Sequence, residues 1–382
     1  MATSWARIAL LYAIGVLAAG QLGIVPPLIA ALQRDLGLSL ASAGLAVSIV
    51  TLVGAAFGLP AGRWCQAVGH ARALGLGVLI MAAAAALAAM AADDITLLAA
   101  RGLAGIGYLL VVIAAPSLMA AIAEPRHQAF TLSLWGSFVP TGIALAGLAT
   151  ASVGSASWRT VFAVDALLLG LAVVVASRAI PKTVPTRCHD HPVLLQELWP
   201  AAPLAVAFFC FALLFLALAG LLPSYLVNQR ALADSEAGRI VAIATACGIP
   251  GSLAAAWFLR RGMRPRRLVA AGIIISAVLA GLSFTVAPTS LAAIGFSLSF
   301  TLGGLVPAAA FAAVPGLAAD ARAIGPINGL LAQSGSLGSV AGPPLLALWI
   351  GWTDWSLAPV LVLAIATFGA AAALSRPVSR PP

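Results

Sequence analysis

The chain has 382 residues, 62% of them hydrophobic and 8% charged, and a mean hydropathy of +1.08. A soluble domain carries about 25% charged residues, so this composition excludes a water-soluble protein and calls for a bilayer as solvent. The net charge of +9, from 20 Lys+Arg against 11 Asp+Glu, is dispersed between apolar runs, which fits loop charges on one membrane face and not a nucleic-acid partner.

A spanning helix needs about 20 apolar residues. The first uncharged stretch runs from Ile8 to Gln33 and is too long for a signal-peptide core, so it reads as a retained helix. The later runs predict helices over 40–61, 73–92, 96–118, 128–150, 158–178, 200–226, 237–258, 268–286, 291–314, 325–350 and 356–375, after a first over 8–31. Leu268 to Ala319 is too long for one span, and Ala287-Pro288-Thr289-Ser290 divides it. The longest polar segment, Arg178 to Leu198, falls midway. The expected fold is all-α and polytopic: twelve transmembrane helices in two pseudo-symmetric six-helix bundles, 1–178 and 200–382, joined by a cytoplasmic loop, 179–199.

With the N-terminus in the cytoplasm, fifteen basic residues fall in cytoplasmic loops or termini and only Arg34, Arg159, Arg230 and Arg239 outside. That asymmetry predicts a multi-pass protein of the cytoplasmic (inner) membrane with both termini cytoplasmic. Arg101 alone remains within a span.

The halves resemble each other. Ala43 to Gly54 aligns without gaps to Ala237 to Gly248 at a shift of 194, and Ser157-Trp158 matches Asp354-Trp355 at 197. Parallel six-helix repeats are a transporter architecture with the substrate near the midplane.

Three stretches carry a family likeness. Gly62-Arg63-Trp64-Cys65-Gln66-Ala67-Val68-Gly69-His70-Ala71-Arg72 follows the second helix, Arg101-Gly102-Leu103-Ala104-Gly105-Ile106-Gly107 lies in the fourth, and Ser157-Trp158-Arg159-Thr160-Val161-Phe162 opens the sixth. Together with helix count and central loop they resemble the major facilitator superfamily along the whole chain. The first resembles the family's G-x-x-x-D-R-x-G-R-R, with Gln66 in place of the acid and Ala67 in place of Arg. The second is similar to R-x-x-x-G-x-G. The Gly-Pro signature of family antiporters is absent from the fifth helix, which reads Gly136 to Gly142. The resemblance implies a secondary transporter working by alternating access.

An intramembrane Arg is expensive and marks a functional site by default. Arg101, Gly105 and Tyr108 share a helical face, and the guanidinium suits an anionic substrate group or a carboxylate. Asp165 is the only acid well inside a span, at similar depth, and is the candidate proton carrier or a structural partner for Arg101. Gln21, Thr141, Gln333 and Ser334 are polar at mid-span depth and are candidates for substrate hydrogen bonds, since a bare amide in lipid is costly. At the cytoplasmic face, Glu124-Pro125-Arg126 and Asp320-Ala321-Arg322 occupy repeat-related positions, and each acid is expected to pair with the basic loop of its half, Arg63 and Arg72 or Arg260 to Arg267. Together with Gly62, Gly69, Arg63, Arg72 and Arg260 they form a candidate gate.

Four scattered Cys without a C-x-x-C pair predict neither disulfides nor a thiolate zinc site. Cys188-His189-Asp190-His191 lacks a rigid ligand set, so no metal is expected. No G-x-x-x-x-G-K occurs, and the single Lys, Lys182, lies in the central loop. The expected protein is not an enzyme and has no cofactor. Its partners are a small organic solute, the bilayer and protons, with no nucleic acid, and it functions as a monomer. Drug or metabolite efflux by proton antiport and ion-independent uniport are the alternatives.

Overall fold

The structure, a computed structural model, describes residues 3–153, 158–180, 195–286 and 288–375. Ser157 and the segment 181–194, with its Cys188-His189-Asp190-His191 cluster, lie outside the described residues. Eleven described helices are long and apolar enough to cross a membrane. We number the spans in chain order: α1 Trp5–Gly23, α2 Leu40–Val68, α3 His70–Ala89, α4 Asp94–Ile122, α5 Pro125–Thr150 and α6 Trp158–Ala179. The second set is α7 Trp199–Arg230, α8 Glu236–Arg260, α9 Pro265–Thr285, α10 Thr289–Leu317, α11 Ile324–Trp352 and α12 Trp355–Leu374. The helix outside the eleven is α11, whose 29 residues include Asn328, Gln333, three Ser and Pro343-Pro344.

Boundaries differ from the sequence expectation chiefly at α1, expected over 8–31 but ending at Gly23 ahead of the Pro26-Pro27 turn, and at α2. The apolar run ends near Pro60, but the helix continues to Val68, so Arg63 to Gln66 are helical and Gly69 alone turns the chain. Gly69 has φ 95°, a conformation that disfavours any Cβ. Its N–H caps Cys65 and its carbonyl accepts from Ala73 as α3 begins.

Among the described residues three spans are interrupted along their length, at Ser137 in α5, Cys247 in α8 and Gly304 in α10. The last two breaks meet: Ser252 Oγ donates to the Gly304 carbonyl at 2.9 Å.

The chain divides into two compact units: Met1–Thr131, Phe138–Val193 and Asp320–Gln333 form the first; Leu132–Ser137, Leu194–Ala319 and Ser334–Pro382 form the second. Each contains a short piece of a helix whose remainder lies in the other. Within the first unit the closest helix pairs are sealed by glycine. Gly107 lies against the Gly77 carbonyl, and Gly142 against Val16 and Gly20, as expected where packing rather than hydrophobicity drives helix association in lipid.

Candidate functional site

The first unit buries a polar network contributed by four helices. Arg101 and Gln21 are each 1% exposed and Asp165 is 7% exposed. Asp93 caps α4 by accepting from Thr96 N–H at 2.7 Å, which places Arg101 two turns into the span. Gly105, one turn further, sits where a Cβ would lie 3.0 Å from the Val50 backbone. This draws α4 onto α2 and lets Arg101 Nε donate to the Ala46 carbonyl at 3.1 Å. Arg101 Nη1 donates to Gln21 Oε1 at 3.0 Å, and Nη2 donates to the Gln21 carbonyl. α1 ends at Gly23 ahead of Pro26-Pro27, so that carbonyl belongs to a last helical turn, where a cation is favoured. Gln21 Nε2 in turn donates to Asp165 Oδ2 at 2.5 Å.

The expected neighbours Arg101 and Asp165 are therefore joined through the Gln21 amide, which shows its oxygen to the cation and its nitrogen to the anion. Every donor of a buried charge needs an acceptor, and here neutral groups supply most of them. The arrangement can hold one cation and one carboxylate in lipid and transmit a charge change on α6 to α1 and α4.

The other candidates are dispersed. Tyr108 is buried on the same α4 face. Thr141 Oγ1 shares a hydrogen bond of 3.1 Å with the Tyr12 hydroxyl. Gln333 directs both ends of its amide to α2, with Oε1 accepting from Leu59 N–H at 3.1 Å and Nε2 donating to the Ala55 carbonyl at 2.9 Å. Ser334, the next residue, is half-buried in the second unit.

At the basic end Gly62 packs on the Gly325 carbonyl, 2.7 Å from where its Cβ would be. Arg63, Arg72, Arg126 and Arg260 are exposed. Arg126 Nε binds Glu124 Oε2 at 2.6 Å, and Arg322 pairs with Asp320. Both acids thus take a partner two residues along their own turn rather than the basic loop of their half, because an i+2 guanidinium reaches the carboxylate without crossing to another element. The hydrogen bond from Arg126 holds the Glu124 carboxyl below its ordinary pKa, and that from Arg322 does the same for Asp320.

Sequence reasoning passed over Tyr12 and the Trp158 indole, which donates to Asp35 Oδ2 at 2.8 Å. It also passed over Asn328, whose Nδ2 donates to Ser117 Oγ at 2.8 Å. The available signal was a polar group within an otherwise apolar helix, one of several in each.

The second unit has a different interior. Phe208, Phe211 and Phe215, one face of α7, continue through Phe300 of α10 with ring centroids 5.3–6.0 Å apart. Beside them is a cavity of about 20 Å³ lined in part by Ser276 and Ser299, room for one water.

The chain matches the family model of the Major Facilitator Superfamily over residues 11–343. No curated protein sequence matches it. Among solved structures it is similar to the human organic anion transporter MFSD10 (TETRAN), with TM-score 0.78, 15% identity and coverage of 96% of this chain and 98% of that one. It is similar to the E. coli fucose:proton symporter FucP, with TM-score 0.74, 16% identity and coverage of 97% and 98%. A bacterial homologue of the iron transporter ferroportin, in an outward-facing state with soaked iron, gives TM-score 0.76, 16% identity and coverage of 96% and 98%. At such identities the likeness establishes the fold.

Proposed function

The chain belongs to the Major Facilitator Superfamily, and on that premise we propose that it is a secondary active transporter, coupled to protons, that moves a small organic solute across the cytoplasmic membrane by alternating access. The family and the structural neighbours point to a transporter rather than an enzyme. The observation that carries the coupled reading is the Arg101–Gln21–Asp165 network. A charge pair kept in lipid at high cost is the usual means of binding a proton or an ionic group, and one of the similar structures is of a proton symporter.

In this reading the proton binds Asp165 Oδ1 or Oδ2. Once neutral, the carboxyl no longer attracts the Gln21 N–H₂ as an anion does, and Gln21 and Arg101 gain freedom to rearrange. Gln21 lies between Gly20, which packs on Ala146 of α5, and Gly23 two residues on, which packs on Ile143, so the change passes from α6 through α1 to α5. Arg101 then either holds an anionic group of the solute or restores the pair. The functional unit is a monomer with both termini in the cytoplasm. The bundles are 1–178 and 200–382, with Gln333, Thr141 and Ser334 offered to the solute in states that release them.

The test begins with a thermal-shift screen of purified protein to find a solute, since a ligand raises apparent stability by mass action. In proteoliposomes, Asp165→Asn should abolish accumulation driven by a pH gradient while retaining counterflow of that solute. Undiminished accumulation would exclude Asp165 as the proton carrier. A wild type that shows counterflow but no response to pH is a uniporter.

A further inference from the structure

One sequence string occurs twice: Gly58-x-x-x-Gly62-x-x-x-Gln66 in α2 and Gly325-x-x-x-Gly329-x-x-x-Gln333 in α11. The offset of 267 residues is unrelated to the repeat shift of 194, so duplication of the halves did not produce the match. Within the first unit the two strings cross antiparallel. Gln333 lies on Gly58, and Gly329 lies on Gly58 and Gly62, with its Cβ position 2.5 Å from the Gly58 carbonyl and 2.8 Å from Gly62 Cα. Gln66 lies on Gly325, its Cβ 3.1 Å from the Cβ position there. Four glycines let the backbones touch, and each glutamine closes one end.

The two ends are not equivalent. Gln333 gives its amide to Ala55 O and Leu59 N–H, the acceptor and donor that one α-helical step pairs with each other. The next residue is Pro60, which lacks an N–H and weakens the ladder of α2 at this point. A side chain inserted into an i→i−4 ladder beside a proline is a recognised cause of a bend. The step that the crossing relates to Ala55–Leu59 is Arg322–Pro326, which runs from the turn before α11 into its first residues. Pro326 has no N–H to give, and Gln66 Oε1 is buried without a hydrogen-bond partner. A proline one place earlier in its string turns one glutamine into a ladder ligand and strands the other.

We propose that Gln333 is a positioning residue that acts as a detachable rung of α2. While the first part of α11 lies on α2, its amide completes the Ala55–Leu59 step ahead of Pro60. Separation of the two helices requires the amide to leave Ala55 and Leu59. Two hydrogen bonds are given up, and the freed amide faces whatever replaces α2. Asn328, bonded to Ser117, holds the same part of α11 on α4 from a different face.

The transport reading supplies only the need for separation. The experiment reads the seam without a substrate, so a protein that moves no solute still answers it. In full-length protein in membranes, with Cys65, Cys188, Cys210 and Cys247 replaced by Ser, the pair Gln66→Cys and Gly325→Cys is oxidised. Its Cβ separation of 3.1 Å lies a few tenths of an ångström below the roughly 3.5–4.5 Å a disulfide bridges, so a small outward shift of the two helices seats the bond. Gln333→Met keeps shape and removes both bonds. It should slow cross-linking several-fold and, in the wild-type background, speed amide exchange across 55–62. Gln333→Glu separates bonding from packing, because a protonated carboxyl offers the same donor and acceptor as the amide. Relative to the Gln333 protein at each pH, it should cross-link normally in acid and slowly in alkali. Unchanged cross-linking and exchange in Gln333→Met, or a pH-independent Gln333→Glu, overturns the proposal.

Discussion

The two units solve the same packing problem with opposite chemistry at repeat-related positions. At offsets of 194–197 residues, Arg101 corresponds to 295–298, where Phe296 is fully buried. Its ring meets Phe284 at 5.0 Å and Tyr225 at 6.1 Å. Trp158, which binds Asp35 in the first unit, corresponds to Trp355, which stands against Tyr225 at 5.2 Å. One interior spends groups from four helices on holding a cation and a carboxylate; the other fills with rings, of which Tyr225 alone among those named hydrogen-bonds, to the Phe284 carbonyl and from Arg230 Nε. A common motif persists at the margin. Arg159 donates to the Ala91 carbonyl at 2.8 Å, and Arg230 donates to that of Val286, its repeat equivalent, at 2.6 Å. The difference teaches that a duplicated helix plan fixes where helices end and turn, while charge in the interior is a specialisation of one copy.

Arg101→Ala puts the greatest load on that contrast. Removing one partner of a buried charge pair costs about 3–5 kcal/mol, because Asp165 loses the cation that stabilises its charged form and Gln21 Oε1 loses its donor. We expect loss of solute counterflow and a clear drop in thermal stability. Arg101→Lys should fail to restore either, since an ammonium cannot reach three fixed acceptors as a planar fork does. A variant with wild-type stability would mean that the first unit is no more charge-dependent than the second.

Phe296→Ala probes the other side. Truncating a buried Phe costs about 3–5 kcal/mol, less where the site collapses, and flexible neighbours in an aromatic cluster allow some collapse. Stability measured by thermal shift should fall, while the pH response of transport per folded molecule stays as in wild type. A changed pH response would show that the units do not divide labour in this way.

Much of this was legible in the sequence because lipid leaves few options. The expected spans agree with the described helices to within a few residues, apart from α1, expected to run to residue 31 but ending at Gly23 ahead of Pro26-Pro27, and α2, where charged turns hide a continuing helix. Arg101, Gln21 and Asp165 were each visible as polar anomalies in apolar runs. Their joining through one amide was not, because it depends on helix rotation and on α1 ending at Gly23. The twin Gly-x-x-x-Gly-x-x-x-Gln strings stand in plain sight, but their antiparallel crossing is a property of the fold. The aromatic cluster gave no signal, since Phe in an apolar helix is unremarkable by composition.

The turns after α2 and α8 sharpen the comparison where the units agree. Gly69 and Gly262 occupy corresponding turns and have φ 95° and 83°. An L-residue there is strained by about 1–3 kcal/mol, so Gly69→Ala and Gly262→Ala should lower stability to a similar degree, read by thermal shift. Because nothing lies within 4 Å of an added Cβ at Gly262, its loss is backbone strain alone. A much larger effect at Gly69 would identify crowding at that buried turn as a second cause.

The smallest effect concerns Glu124 and Asp320, the acids that follow α4 and α10 in the two halves. Each has its carboxyl held below the ordinary pKa, first by a side-chain hydrogen bond from Arg126 or Arg322 respectively. A depressed carboxyl favours the folded state when ionised. Its contribution is therefore complete above the ordinary carboxylate pKa of about 4 and fades as pH falls through the lower folded value. Both pairs are largely solvated, so the contribution is slight and screened by salt. Glu124→Gln/Asp320→Asn should melt slightly below wild type at pH 7, and the gap should close as pH is lowered below about 4. Added salt should also narrow the gap at pH 7, because exposed charges are screened over about 10 Å at 0.1 M. If the gap instead widened in acid, the carboxyls would be favouring the folded state when protonated, and the local pairs with Arg126 and Arg322 would not be what holds these turns.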